Sequence, residues 1–170
     1  MRQSLNRVYE FLLFLLCAFV SGPCLAQSVQ SSSIAINVTV VRGIEITSSS
    51  NLAFGTLVSG SGTHNIAPSD PNVGSFTFSG QPNATVSVTT PSSVILSDGN
   101  GHSLNFNPAI PIWNTSNSQT AGSQQFAASN GGSADFGPAG ALFVWFGGSL
   151  NTNGAAPGTY SGSYTIDITY

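Results

Sequence analysis

Apolar and polar residues alternate along most of this chain, in short runs broken by Gly, Pro, Asn and Ser. The runs are IAINVTV (34–40), IEIT (44–47), LAFGTLV (52–58), GSFTFSG (74–80), ATVSVTT (84–90), SVILS (93–97), HSLNF (102–106), ALFVWF (141–146) and TYSGSYTIDITY (159–170). A period of two places successive side chains on opposite faces, so each run reads as a strand. No long segment has helical periodicity. The even spacing of short strands predicts an all-β sandwich or barrel. ALFVWF is apolar on both faces and is expected to be central in a sheet or covered by a neighbour. SGQPNA (79–84) and SDGNGH (97–102) read as hairpin connections. Residues 107–140 are rich in Asn, Ser, Gln, Gly and Ala, with Ile110, Ile112, Trp113, Phe126 and Phe136 as sparse anchors. They read as one long loop, or as a loop hiding a weak strand near Gln125–Ala128.

The two outermost runs carry the clearest alternation. Tyr160, Gly162, Tyr164, Ile166, Ile168 and Tyr170 share one face of the closing run, with Ser, Thr and Asp on the other. At the opposite end Ile34, Ile36, Val38 and Val40 share a face before Arg42-Gly43 interrupts the pattern. Two readings follow: a donor strand with a hinge behind it, or one long first strand bent at Gly43. Burying four such side chains is worth roughly 6–12 kcal/mol gross. Ordering their backbone costs about 7–14 kcal/mol. A free segment therefore needs ladder hydrogen bonds and a preformed groove to settle.

Processing changes the composition. Arg2 and Arg7 precede a ten-residue apolar core, Phe11–Val20, and small residues frame a cut after Ala26. This is the pattern of a cleaved secretory signal, residues 1–26. Its apolar core is too short to be a stable membrane anchor. Residues 27–170 are a normal size for one domain, here a strand segment at 27–43 and a sandwich at 44–170. Both cysteines leave with the signal, so packing and strand pairing must hold the fold. Arg42 then remains as the sole cation against Glu45, Asp70, Asp98, Asp135 and Asp167, and there is no lysine. One cation cannot neutralise a row of phosphates, which excludes nucleic acid as a partner. Charged residues are 5% of the chain, against roughly 25% in ordinary globular proteins. Low charge with many Ser, Thr and Gly suits β-structure that packs against copies of itself.

Catalytic patterns are absent. His64 and His102 have no second histidine or following carboxylate at metal-ligand spacing. No Gly-x-Ser-x-Gly elbow leads from a strand into a helix. Asp98-Gly-Asn-Gly-His102 resembles the start of a calcium loop but lacks the later carboxylates, and a hairpin turn explains the same residues. The glycines of GTLVSGSG (55–62) precede a strand, where no helix N-terminus cradles phosphate. The expectation is a non-enzymatic protein with no cofactor or metal. Trp145 belongs to an apolar run and reads as core. Trp113, beside Asn114, is a candidate for ligand stacking.

Three pieces then align in order. SSSNLAFGTLVSG (48–60), GSFTFSGQPNATVSVTTP (74–91) and PGTYSGSYTIDITY (157–170) resemble the opening, central hairpin and closing strand of the exported bacterial domain-of-unknown-function family four-four-zero-two. The first and last are also similar to spore coat protein U-type domains and archaic chaperone–usher pilins. That resemblance implies an immunoglobulin-like antiparallel β-sandwich that lacks one strand and borrows it from a neighbour. It implies copies of itself or related subunits as partners, with Ile34, Ile36, Val38 and Val40 as donor strand. A periplasmic chaperone or partner would contact Tyr164, Ile166, Ile168 and Tyr170. The pilin relatives carry a disulfide beginning near the Ile44 position, and this chain has no cysteine there. The expected function is an exported pilin-like or surface-assembly subunit, in the periplasm, at the cell surface or outside the cell. The alternative is a self-sufficient secreted module contacting a glycan or surface polymer through the 107–140 loop and Trp113.

Overall fold

The computed structural model describes Val38 and residues 42–170. The signal segment and Ile34, Ile36 and Val40 of the candidate donor strand lie outside the described residues. Val38 belongs to a first unit, Met1–Thr39, and is exposed and outside any strand. The second unit, Val40–Tyr170, contains every strand described below.

Twelve strands and no helix occur among the described residues. They are β1 (Glu45–Ser50), β2 (Thr63–Ile66), β3 (Gly74–Ser79), β4 (Thr85–Thr89), β5 (Val94–Ser97), β6 (Ser103–Pro108), β7 (Ile112–Asn114), β8 (Gln124–Gln125), β9 (Gly131–Asp135), β10 (Ala141–Phe146), β11 (Gly148–Asn151) and β12 (Asp167–Thr169). All pairs are antiparallel, in three sheets: β1-β3-β10-β7-β8, β2-β11-β6-β5 and β12-β4-β9.

The first and third sheets face each other, and this is the sandwich the alternation predicts. Phe78, Trp113, Leu142 and Val144 from the first meet Val86, Val88 and Ala134 from the third, joined by Phe126, Phe136 and Ile166. The alternation of β4 is literal: Val86 and Val88 are buried while Thr85, Ser87 and Thr89 are exposed. β10 is the middle strand of its sheet, and both its faces are covered. Leu142 and Val144 enter the main core, while Trp145 packs with Val73 and Ile112 on the outer face.

The second sheet continues from the first through one residue, Gly147, between β10 and β11. A Cβ there would collide with the Ile66 carbonyl oxygen, and one at Gly148 with the Asn107 carbonyl and the Phe106 ring. Two glycines are what let the chain change sheets without a loop. Aromatic rings cross the same junction. Phe76 stacks on Phe146 at 5.4 Å, Phe146 on Tyr164 at 4.3 Å, and Tyr164 meets Phe106 edge-on at 6.5 Å.

Several sequence expectations are corrected. Residues 97–102 form the expected hairpin, with Ser97 opposite Ser103, but 79–84 do not. They arch from the first sheet to the third, because Phe78 and Val86 enter the core from opposite sides. Asn83, at φ 56°, turns the chain, and the arch bonds sideways: Gly80 N–H to Gly140 O at 2.8 Å and Asn83 N–H to Gly137 O at 3.3 Å. Residues 52–58 form no strand. Gly55 at φ 70° breaks the extended path, and Phe54 instead packs on Phe106 at 5.9 Å. Of the two readings of 107–140, one long loop is corrected and a weak strand near Gln125–Ala128 is met by β8 and a bridge from Ala128 to Gly131, with β7 and β9 on either side. The turn at 115–123 is organised by buried Asn114, whose amide donates to the Ser118 and Ala121 carbonyls. The closing run forms a ladder only over Asp167–Thr169, with one isolated bridge from Ser161 to Ser97. Asp167 lies opposite Thr89, so the next ladder position falls at Pro91, which has no N–H to offer.

Candidate functional site

One flank of the sandwich is left open, and its geometry follows from the connections. The arch at 80–84 joins β3 to β4, and the 136–140 connection beside it joins β9 to β10. Those two links bridge the sheets at one end of their strands. Along the flank β1 edges the first sheet and β12 edges the third, and neither outer edge has a strand partner among the described residues.

Inward-facing apolar side chains line this flank without being covered. Ile46 lies opposite Phe78, which puts it on the core face, yet it is 60% exposed. Ile168 lies opposite buried Val88 and is half-buried, as is Ile44; both touch the main core. Tyr170 is 49% exposed, with its ring tilted against Phe136 at 6.4 Å. A register shift between Ile46 and Ser48 marks a bulge in β1, and bulges twist an edge away from casual pairing.

Three chain segments are tied together at the arch end of the flank. The Tyr170 hydroxyl donates to the Arg42 carbonyl at 2.6 Å and accepts from the Gln81 N–H at 2.7 Å. The Gln81 side-chain carbonyl accepts from the Arg42 N–H at 3.2 Å. The segment entering β1, the arch and the end of β12 therefore share one ring of hydrogen bonds.

The four closing-run residues expected to face a partner divide into two pairs. Ile168 and Tyr170 line the open flank. Tyr164 and Ile166 do not, because Ile166 is buried in the core and the Tyr164 ring is stacked on Phe146. The Tyr164 hydroxyl is buried without a hydrogen-bond partner among the described residues. Thr90, whose own hydroxyl proton goes to the Ser129 carbonyl, lies near it and offsets part of the rise that burial imposes on the phenol. An orphaned buried hydroxyl costs about 1–3 kcal/mol. Tyr164→Phe is thus expected to leave the fold intact and raise stability by about 1 kcal/mol, read from the urea midpoint. A lower midpoint would show that the hydroxyl is satisfied.

Trp113 is corrected as a stacking platform. It sits on β7 opposite Val144, is 5% exposed and tilts against Phe126 at 6.4 Å. It offers no ring face to a ligand. Trp145 is core, as expected.

Two polar clusters lie elsewhere. Asp98 Oδ2 sits 2.7 Å from His102 Nδ1, while Asp98 Oδ1 accepts from the Asn100 N–H at 2.8 Å and the His102 N–H at 3.0 Å. The hydrogen bond from His102 leads the causes that hold this carboxyl down at about 2. The ionised form is favoured by the fold, so its contribution is present above the ordinary carboxylate range near pH 4 and is lost as pH falls through about 2. The sequence reading missed this pair, since the carboxylate precedes the imidazole by four residues. Both Asp98 carboxylate oxygens, which a calcium ion would need, are instead engaged by the hairpin's own donors.

Ser61 Oγ lies 2.7 Å from His64 Nε2 and 3.1 Å from Thr152 Oγ1, and it donates to the Val58 carbonyl. With its single proton on Val58, Ser61 accepts from the imidazole, the reverse of an activated nucleophile. No group of three metal-ligating side chains occurs among the described residues.

A family model described as Domain of unknown function (DUF4402) matches residues 55–170. No curated protein matches the chain.

Proposed function

The chain belongs to that DUF4402 domain family, and within it we propose that it works as an exported structural subunit that assembles by β-strand donation. The open flank carries this reading. Two strand edges without a partner among the described residues border a slot in which core-facing Ile46 and Tyr170 stay 60% and 49% exposed. An added strand would satisfy both edges and cover those side chains, with about 1.5–3 kcal/mol for each large one buried. The occupant suited to it is uncharged and alternating, and Ile34, Ile36, Val38 and Val40 of a second copy supply that pattern. Main-chain bonds would give affinity and the alternate side chains register, as in other strand additions.

Light scattering after size-exclusion chromatography tests this with residues 27–170, the same chain lacking 27–41, and a peptide of residues 34–40. The full segment is expected to form multimers, its deletion to give monomers, and the peptide to raise their melting temperature. Ile46→Asp should block both multimers and peptide binding while the monomer stays folded. A monomeric 27–170, whether or not the deletion lowers its melting temperature, would overturn polymerisation by donation.

A further inference from the structure

The chain has three Asn-Gly pairs: Asn100-Gly101, Asn130-Gly131 and Asn153-Gly154. Asn-Gly is the dipeptide most prone to cyclise, because no Cβ hinders the glycine nitrogen. The structure separates the three. The Gly131 N–H donates to the Ala128 carbonyl at 3.0 Å, the Asn130 carbonyl accepts from Thr90 at 3.0 Å, and Gly131 is wedged against the Val88 carbonyl of β4. Neither Gly101 nor Gly154 donates its N–H to any described residue. Both are exposed at turn tips, at φ 95° and 74°, with open space around them.

We propose that Asn100 is a self-modifying site whose conversion to aspartate and isoaspartate loosens the β5–β6 hairpin tip from the closing run. The step is redox-neutral. The Gly101 nitrogen loses its proton to solvent and bonds to the Asn100 side-chain carbon, and the bond to Nδ2 breaks to release ammonia. Water then opens the cyclic imide at either carbonyl, leaving a carboxylate and, in the isoaspartyl product, one extra methylene in the main chain. Asn153 meets the same chemical conditions, but Asn100 sits inside a cradle. Its own N–H and that of His102 both hold Asp98 Oδ1, and the extra methylene falls between them. A new negative charge also arrives beside Asp98. Asp98 in turn underlies the closing run: a Cβ on Gly158 would stand 3.2 Å from the Asp98 Cβ, and Ser97 and Ser161 exchange hydrogen bonds of 2.9 and 3.0 Å.

The test is incubation of the folded protein in mildly alkaline buffer, with site-resolved peptide mass spectrometry and fragmentation that distinguishes isoaspartate. Asn100 and Asn153 should convert at least about tenfold faster than Asn130, the factor that a local opening of about 1.4 kcal/mol imposes. In the converted fraction the Ser161 amide should exchange faster and the Asp98 carboxyl should titrate higher. Asn100→Ser should abolish both changes while Asn153 still converts. Equal rates at all three sites, or a converted Asn100 with unchanged Ser161 exchange, would overturn the proposal. Both readouts use the monomer and are unaffected by whether subunits donate strands.

Discussion

Replacing Gly147 with alanine is expected to cost about 3 kcal/mol of folding stability, with the loss concentrated in the second sheet. The added methyl meets the Ile66 carbonyl oxygen and the Ala67 carbonyl carbon, and main-chain atoms cannot rotate aside as a side chain would. The Gly147 carbonyl is itself fixed, accepting from the Ala109 N–H at 3.0 Å. Relief must come from separating β2 from β11, which pair from Gly148 opposite Ile66 to Asn151 opposite Thr63. Amide exchange at Thr63–Ile66 should therefore accelerate more than exchange in β3 or β10, alongside a lower thermal midpoint. A variant as stable as the parent would mean that the junction is looser than its geometry indicates.

Trp113→Ala should cost about 3–5 kcal/mol, the range for deleting a large aromatic from a packed core. Total stabilities of domains run to roughly 5–15 kcal/mol, so this single change threatens folding. Trp113 sits between Val144 and Phe126, facing the β4 valines across the sandwich. Trp113→Phe keeps most of that area and should retain most of the stability. Urea unfolding of the two variants separates a core role from a surface one: a ligand platform would lose nothing in stability from either change.

The contrast between these residues explains what the sequence could and could not reveal. Period-two alternation marked Phe78, Val86, Val88 and Ile166 as inward-facing, and all are buried in one core. The glycine-rich strands β9 (GGSAD) and β11 (GSLN) gave no such pattern, since glycine contributes no side chain to alternate. LAFGTLV, the more apolar run beside β2 (THNI), forms no strand, because Gly55 breaks its extended path. Turn residues announced a change of direction at 79–84 but carried no information about which sheet the chain would join. The flank was legible only in part. Tyr164, Ile166, Ile168 and Tyr170 share a face by spacing, but whether each is covered depends on what lies across from it. Ile166 meets the opposite sheet, and Tyr170 reaches past it to Arg42 and Gln81.

The ring joining Arg42, Gln81 and Tyr170 also sets how the domain would bear mechanical load. Arg42 leads into β1 along the strand's own axis, from the arch end. A pull on the chain there acts parallel to β1, while the hydrogen bonds to β3 lie across it. All of those bonds are then strained together in shear, where a sideways pull would unzip them one at a time. The bulge between Ile46 and Ser48 divides that ladder and is the point at which it should yield first. A subunit linked to neighbours through the segment before Arg42 would meet tension along its strongest direction.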